Sequence, residues 1–124
     1  MLMFMRYWLP VIVYCAAIFI QSSFPTPHQL PSFEFSDKLL HLVGYGVLAG
    51  LIFRAVNTTA RWHRRWGILV MIAVLASTLY GISDEWHQSF VPGRDAEIAD
   101  ALADFAGSLL GAGVFAGLLR WRDA

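Results

Sequence analysis

Cysteine is nearly absent: Cys15 stands alone, so the chain can form no intrachain disulfide and no metal knuckle built from paired cysteines. Charge is scarce as well, at 15% of 124 residues against 57% hydrophobic, too little for an ordinary soluble domain. In water a chain of this length would have one modest core, and its five Trp, nine Phe and long uncharged runs would leave a large apolar surface outside it. Internal repeats, low-complexity tracts, an HExxH zinc signature, a phosphate-cradling glycine loop and a Ser or Cys nucleophile motif are also missing. The formal net charge is zero, and no basic excess points to a nucleic acid partner.

What the chain does have is four segments with almost no charge, at about residues 7–24, 37–56, 66–83 and 100–119. A helix rises about 1.5 Å per residue, so roughly 20 residues cross the ~30 Å hydrocarbon layer. The second segment reaches that length only with Asp37, Lys38 and Arg54 at its ends, where charged side chains can snorkel to the interface. The first follows Arg6 as a secretory signal would, but no small-x-small cleavage site follows it, and it is expected to remain as a helix. The predicted fold is therefore an all-α integral membrane protein, a four-transmembrane-helix bundle in a single domain over residues 1–124.

Arg6, Arg54, Arg61, Arg64, Arg65, Arg120 and Arg122 fall on one side of these spans, and Lys38 and Arg94 on the other. By the positive-inside rule both termini are cytoplasmic, and the loops of residues 25–37 and 84–100 face outward. Trp8, Trp62, Trp66 and Trp121 then mark the inner boundary and Trp86 the outer one, as an aromatic belt does. The link PTPHQLP reads as an extended connector in which Pro25, Pro27 and Pro31 block helix.

Counted by side, the zero net charge conceals a separation. The outer set holds Glu34, Asp37, Asp84, Glu85, Asp95, Glu97, Asp100 and Asp104 against Lys38 and Arg94. The arginines are explained by topology and by contact with anionic lipid, but carboxylates contribute little to orientation. Their spacing is informative, because residues four apart on a helix share a face. Asp37, His41 and Tyr45 form one stripe, Tyr80, Asp84 and Gln88 a second, and Glu97, Asp100 and Asp104 a third, all at one depth. A charge at mid-bilayer costs about 2.5–3.5 kcal/mol on insertion scales, so such stripes are expected to face the bundle interior or a wet cavity.

In order along the chain these residues spell D-K-x-x-H-x-x-x-Y from Asp37 to Tyr45, D-E-x-x-Q-x-F-x-P-G-R from Asp84 to Arg94, and D-x-x-A-D-x-x-G from Asp100 to Gly107. That ordered set resembles the VanZ-like family, named for a protein that raises resistance to the glycopeptide teicoplanin. At Asp104 the family often has Asn. The resemblance implies a small multi-pass protein of the bacterial cytoplasmic (inner) membrane with a role at the cell envelope.

The residues expected to form a ligand-binding site are Asp37, Lys38, His41, Tyr45, Asp84, Glu85, Gln88, Arg94, Asp100 and Asp104. Arg94, following F-V-P-G and one of two outer cations, is expected to pair with Asp84, Glu85 or Asp100. Asp84 and Glu85 sit at the negative end of a helix dipole, where a carboxylate has no structural reason to be. The favoured reading is a polar cavity that binds a lipid head group, a cell-wall precursor or a glycopeptide. One alternative is a membrane-embedded hydrolase or transferase. Its catalytic candidates are His41, Asp84 and Glu85, acting by acid-base chemistry or through a divalent cation held by His41, Asp84, Glu85, Asp100 and Asp104. So oxygen-rich a set suits Mg, Mn or Ca better than Zn. The other alternative is polar glue that only holds the helices together. Gly107, Gly111, Gly113 and Gly117 are expected to support close helix packing, with a homodimer contact as the lesser reading.

Overall fold

The computed structural model describes residues 1–25, 36–59 and 61–124. Pro27, Pro31 and Glu34 of the expected connector lie outside the described residues. The helices are α1 (Leu2–Ser22), α2 (Ser36–Val56), α3 (Trp66–Gln88) and α4 (Ile98–Arg122), with no strand among the described residues. Each is long and apolar enough to cross a membrane. The second span sits where hydropathy placed it, but α3 continues to Gln88, past its expected end at residue 83. The backbone ladder does not stop where apolar side chains stop, so Asp84, Glu85 and Gln88 become helical and buried. α1 and α4 likewise extend beyond their apolar runs, α1 starting at Leu2 and α4 running from Ile98 to Arg122.

The order of the contacts gives the topology. α2 and α4 run parallel, since Lys38 meets Asp100 near their starts and Gly50 meets Phe115 further along. α3 runs against them and parallel to α1, which it meets through Tyr80 and Cys15 and again through Gln88 and Ser22. α2 is the central element: Leu48, Ala49, Phe53 and Ala55 are fully shielded, and they form a core with Leu69 and Ala73 of α3 and Ala112 of α4. α1 is peripheral and buries only Val11 and Ser22. Its attachment is partly polar, with the Tyr14 hydroxyl donating to Gly44 O at 2.9 Å and the Tyr80 hydroxyl to Cys15 O at 2.6 Å.

The closest approach is between α2 and α4. A Cβ on Gly107 would collide with the Leu42 carbonyl, and one on Gly111 with the Gly46 carbonyl. Backbones can meet this way only where both lack bulk, as in small-x-x-x-small packing between membrane helices. The four glycines do not act as one set, however. Gly113 and Gly117 have nothing within 4 Å of a built Cβ and face away from the bundle. Gly107 and Gly111 are spent within the chain, which removes them from the expected dimer contact.

The outward faces are hydrocarbon: Val43 and Val47 on α2, Met71, Leu75 and Leu79 on α3, and Leu102, Leu109, Leu110 and Leu118 on α4 are all exposed. A monomeric protein in water rarely presents so continuous an apolar surface, whereas a bilayer solvates it.

Candidate functional site

Inverting that outside, the interior of one end of the bundle is polar. Asp84, Glu85, Gln88, Asp100 and Asp104 are all buried, and Asp104 is 0% exposed. Ionisable groups so placed need partners, and they have them in two groups back to back on α2. His41 and Tyr45, one turn apart, hold their rings nearly parallel, with centroids 6.2 Å apart and planes 6° from parallel. His41 engages the carboxylates of α4, and Tyr45 turns to α3.

In the first group, His41 Nδ1 pairs with Asp104 Oδ1 at 2.8 Å, while Nε2 lies 3.8 Å from Glu85 Oε1 and 3.8 Å from Asp100 Oδ2. Gly81 of α3 makes this possible, since a Cβ there would fall 2.6 Å from Asp104 Oδ2. Lys38 Nζ bridges Asp100 and Glu97, 2.7 Å from Glu97 Oε2, and also lies 3.6 Å from Asp37. The Lys38 ammonium holds the Glu97 carboxyl below the usual carboxylate range. The second oxygen of Glu85 accepts from Glu97 N–H at 3.2 Å, so a carboxylate from the end of α3 caps the start of α4. Glu85 Oε1 and Asp104 Oδ2 are buried without a hydrogen-bond partner.

In the second group, Asp84 Oδ2 accepts from the Tyr45 hydroxyl at 3.1 Å and from Gln88 Nε2 at 3.0 Å, and Gln88 reaches Ser22 of α1 at 3.3 Å. This group fronts a cavity of about 300 Å³ between α1, α2 and α3, with Asp37, His41, Tyr45, Asp84, Gln88 and Arg94 in its walls. Ile18, Leu40 and Gly44 supply its apolar part. The expected binding residues therefore divide. These six line the cavity, while Lys38, Glu85, Asp100 and Asp104 stand behind them towards α4.

Arg94 departs from expectation. Its Nε donates to Phe24 O and its Nη2 to Gln21 O, both at 2.8 Å, so it satisfies carbonyls at the end of α1 instead of pairing with Asp84, Glu85 or Asp100. The preceding turn aims it there: Arg94 N–H donates to Val91 O, with Pro92 second and Gly93 third at φ +81°, the pattern of a type II turn. A cation at a helix C-terminus is favourable in itself. Lys38 compensates Asp100 in its place.

The expected cation-binding set divides as well. One ligand atom each from His41, Glu85 and Asp104 lie within 4.8 Å of one another, as do those of Asp37, His41 and Asp100. Asp84 belongs to neither set, being engaged by Tyr45 and Gln88. Glu85 and Asp104 of the first set each carry a buried oxygen without a hydrogen-bond partner, and oxygen donors suit a hard divalent cation.

Sequence reasoning missed Ser77 and Ser108, which carry the polar strip deeper. Ser77 Oγ donates to Tyr45 O at 3.2 Å and lies 2.8 Å from Ser108 Oγ. A signal was available: Ser77, Gly81, Asp84 and Gln88 continue one helix face at spacings of four, three and four. For Ser22 and Gln21 there was none, because nothing in α1 marks the turn that meets α3.

A family model described as VanZ/LLP1 matches residues 4–120, nearly the whole chain. The chain belongs to that family. Comparison with curated proteins and with solved structures finds no match.

Proposed function

We propose that this VanZ/LLP1 family member binds a polar group of an envelope component or of a glycopeptide antibiotic in the cavity between α1, α2 and α3, and so contributes to teicoplanin-type tolerance. The observation that supports this most is the cavity itself, where Asp37, Asp84 and Gln88 line about 300 Å³ of space at the end of an apolar bundle. The buried Asp84 and Gln88 and the exposed Asp37, with His41 and Tyr45 beside them, suit an amine- or hydroxyl-bearing group, such as the cationic part of an antibiotic or a sugar of a cell-wall precursor. In this reading the chain is a single domain of the bacterial cytoplasmic membrane with both termini inside. The seven arginines at the other end of the bundle support that orientation.

The test is a susceptibility measurement in a bacterial host. Asp84→Asn keeps the shape and the hydrogen bond from Tyr45 but removes the charge. It is expected to leave expression and insertion intact and to abolish the tolerance that the wild-type chain confers. Unchanged tolerance would remove Asp84 from the site and the proposal with it.

A second reading is supported by the two unpartnered oxygens, Glu85 Oε1 and Asp104 Oδ2, beside His41. It takes His41, Glu85 and Asp104 as ligands of a Mg, Mn or Ca ion that would supply Lewis acidity for a hydrolase or transferase acting on a lipid intermediate. Metal analysis of the purified protein separates the two readings: stoichiometric metal in the wild type, lost in Glu85→Gln, favours the second. The third reading, polar glue alone, predicts that His41→Ala lowers stability with no ligand-dependent change. A dimer, if formed, has only Gly113 and Gly117 of the four glycines to meet on.

A further inference from the structure

At the end of the bundle that carries both termini, a second cavity of about 400 Å³ lies between the start of α1 and the ends of α2 and α4. Its walls are of two kinds. Met3, Phe115 and Leu119 are apolar, while Arg54, Asn57 and Arg122 carry hydrogen-bond donors. Arg54 is the informative residue. It is half-buried, its guanidinium lies over the Tyr7 ring at 4.7 Å from the centroid, and among the described residues it has no carboxylate within ion-pair distance. A guanidinium partly withdrawn from water with an aromatic face as its only charge-compensating neighbour keeps most of its donors unused.

The surroundings strengthen that imbalance. Among the described residues Asp123 is the one side-chain carboxylate paired with an arginine at this end, and it is shared by Arg122, at 3.3 Å, and Arg64, at 3.8 Å. Asn57 Oδ1 is taken by the Arg64 backbone N–H at 3.0 Å, which leaves the amide nitrogen of Asn57 as a donor. That bond holds the turn after α2 closed, with Arg64 in the left-handed region at φ 60°. The Arg54 and Arg122 guanidiniums and the Asn57 amide nitrogen thus stand in the cavity wall as donors, beside Thr58, whose hydroxyl donates to Ala55 O, and His63, whose Nδ1 pairs with Asn57 O, and Arg6, Arg61, Arg65 and Arg120 add positive potential at this end of the bundle.

Topology explains why arginines gather at one end of a membrane protein, but it asks only that they lie in loops and flanks. It does not ask that one be packed over an aromatic ring inside a cavity with an apolar wall. We propose that this cavity binds the phosphate of an anionic phospholipid, with Arg54 and Arg122 on the phosphate oxygens and Met3, Phe115 and Leu119 against the first carbons of the acyl chain. Guanidinium groups match phosphate oxygens in geometry and charge, and the apolar wall matches the part of a lipid just below its head group. The site is separate from the carboxylate cavity, and its fate does not depend on the ligand bound there.

The experiment uses the full chain purified in a neutral detergent, with thermal unfolding followed as phosphatidylglycerol, phosphatidylcholine or inorganic phosphate is added. Phosphatidylglycerol is expected to raise the melting midpoint and to bind about tenfold more tightly than phosphatidylcholine. Arg54→Gln abolishes that preference, and Arg61→Gln, changing an exposed arginine outside the cavity, preserves it. If Arg54→Gln does not fold, Arg122→Gln is read instead and weakens the preference. A shift with phosphatidylglycerol and none with inorganic phosphate identifies the lipid as the source. A matching shift with inorganic phosphate keeps the phosphate site and overturns the assignment to lipid. Equal effects of the two lipids, or full retention of the preference in Arg54→Gln and Arg122→Gln, overturn the proposal.

Discussion

The two ends of the bundle hold similar numbers of charges and use them in opposite ways. At the carboxylate end, Asp84, Glu85, Asp100 and Asp104 are on helices, buried, and joined to His41, Lys38 and Tyr45. At the arginine end, Arg6, Arg61, Arg64, Arg65, Arg120 and Arg122 are exposed, and Asp123 is their one carboxylate partner among the described residues. Exposed cations at a membrane boundary cost little and need no partner. Buried carboxylates cost several kcal/mol each unless compensated, on the order of the whole stability of a small domain. A sequence retains such groups either because they hold the helices in one arrangement or because something binds them, and the two groups here differ in what they face. The group behind α2, from Lys38 to Asp104, ties α2, α3 and α4 together, and the group in front, from Asp37 to Gln88, opens on a cavity.

Breaking the rear group should have the largest effect. His41→Ala leaves Asp104 buried without its partner and is expected to lower stability by about 3–5 kcal/mol, read from thermal unfolding in detergent. Lys38→Met removes the bridge from Asp100 to Glu97 and is expected to cost about 1–3 kcal/mol, the penalty of an unsatisfied buried acceptor. Arg61→Gln at the other end sharpens the contrast, since an exposed charge should change stability by less than about 0.5 kcal/mol. A loss at Arg61 as large as that at Lys38 would erase the distinction between the two ends.

The smallest effect concerns acid. Lys38 holds the Glu97 carboxyl below its ordinary range, so the pair stabilises the fold above the usual glutamate pKa, and the contribution disappears as pH falls through the lowered value. Glu97→Gln should therefore lie slightly below wild type in melting midpoint at neutral pH and converge with it in acid. A gap that persists or widens on acidification would contradict the Lys38–Glu97 contact.

Hydropathy was enough to find the spans, and a spacing of four was enough to find most of the side chains that gather inside the polar end, because a polar stripe on an otherwise apolar helix has little choice of direction. His41, Tyr45, Asp84 and Asp104 were readable for that reason. Pairing was not readable. Arg94 looks like the obvious counterion in the sequence, but a type II turn at Pro92 and Gly93 points it at carbonyls of α1, and Lys38, one residue from Asp37, bridges to α4 instead. Helix ends were misplaced for a related cause: hydropathy locates the hydrocarbon, whereas the hydrogen-bond ladder of α3 carries on to Gln88. The contribution of Ser22 was hidden because it comes from the end of a helix with no polar stripe at all.

The most direct test of the central claim is ligand binding to the purified chain. Titration with a teicoplanin-type glycopeptide and with a lipid-linked cell-wall precursor should give saturable binding for at least one of them. Asp84→Asn should weaken it by about tenfold while leaving the melting midpoint of the unliganded protein near wild type. Saturable binding that is equal in wild type and Asp84→Asn, or no binding of either compound, would contradict the assignment of this cavity.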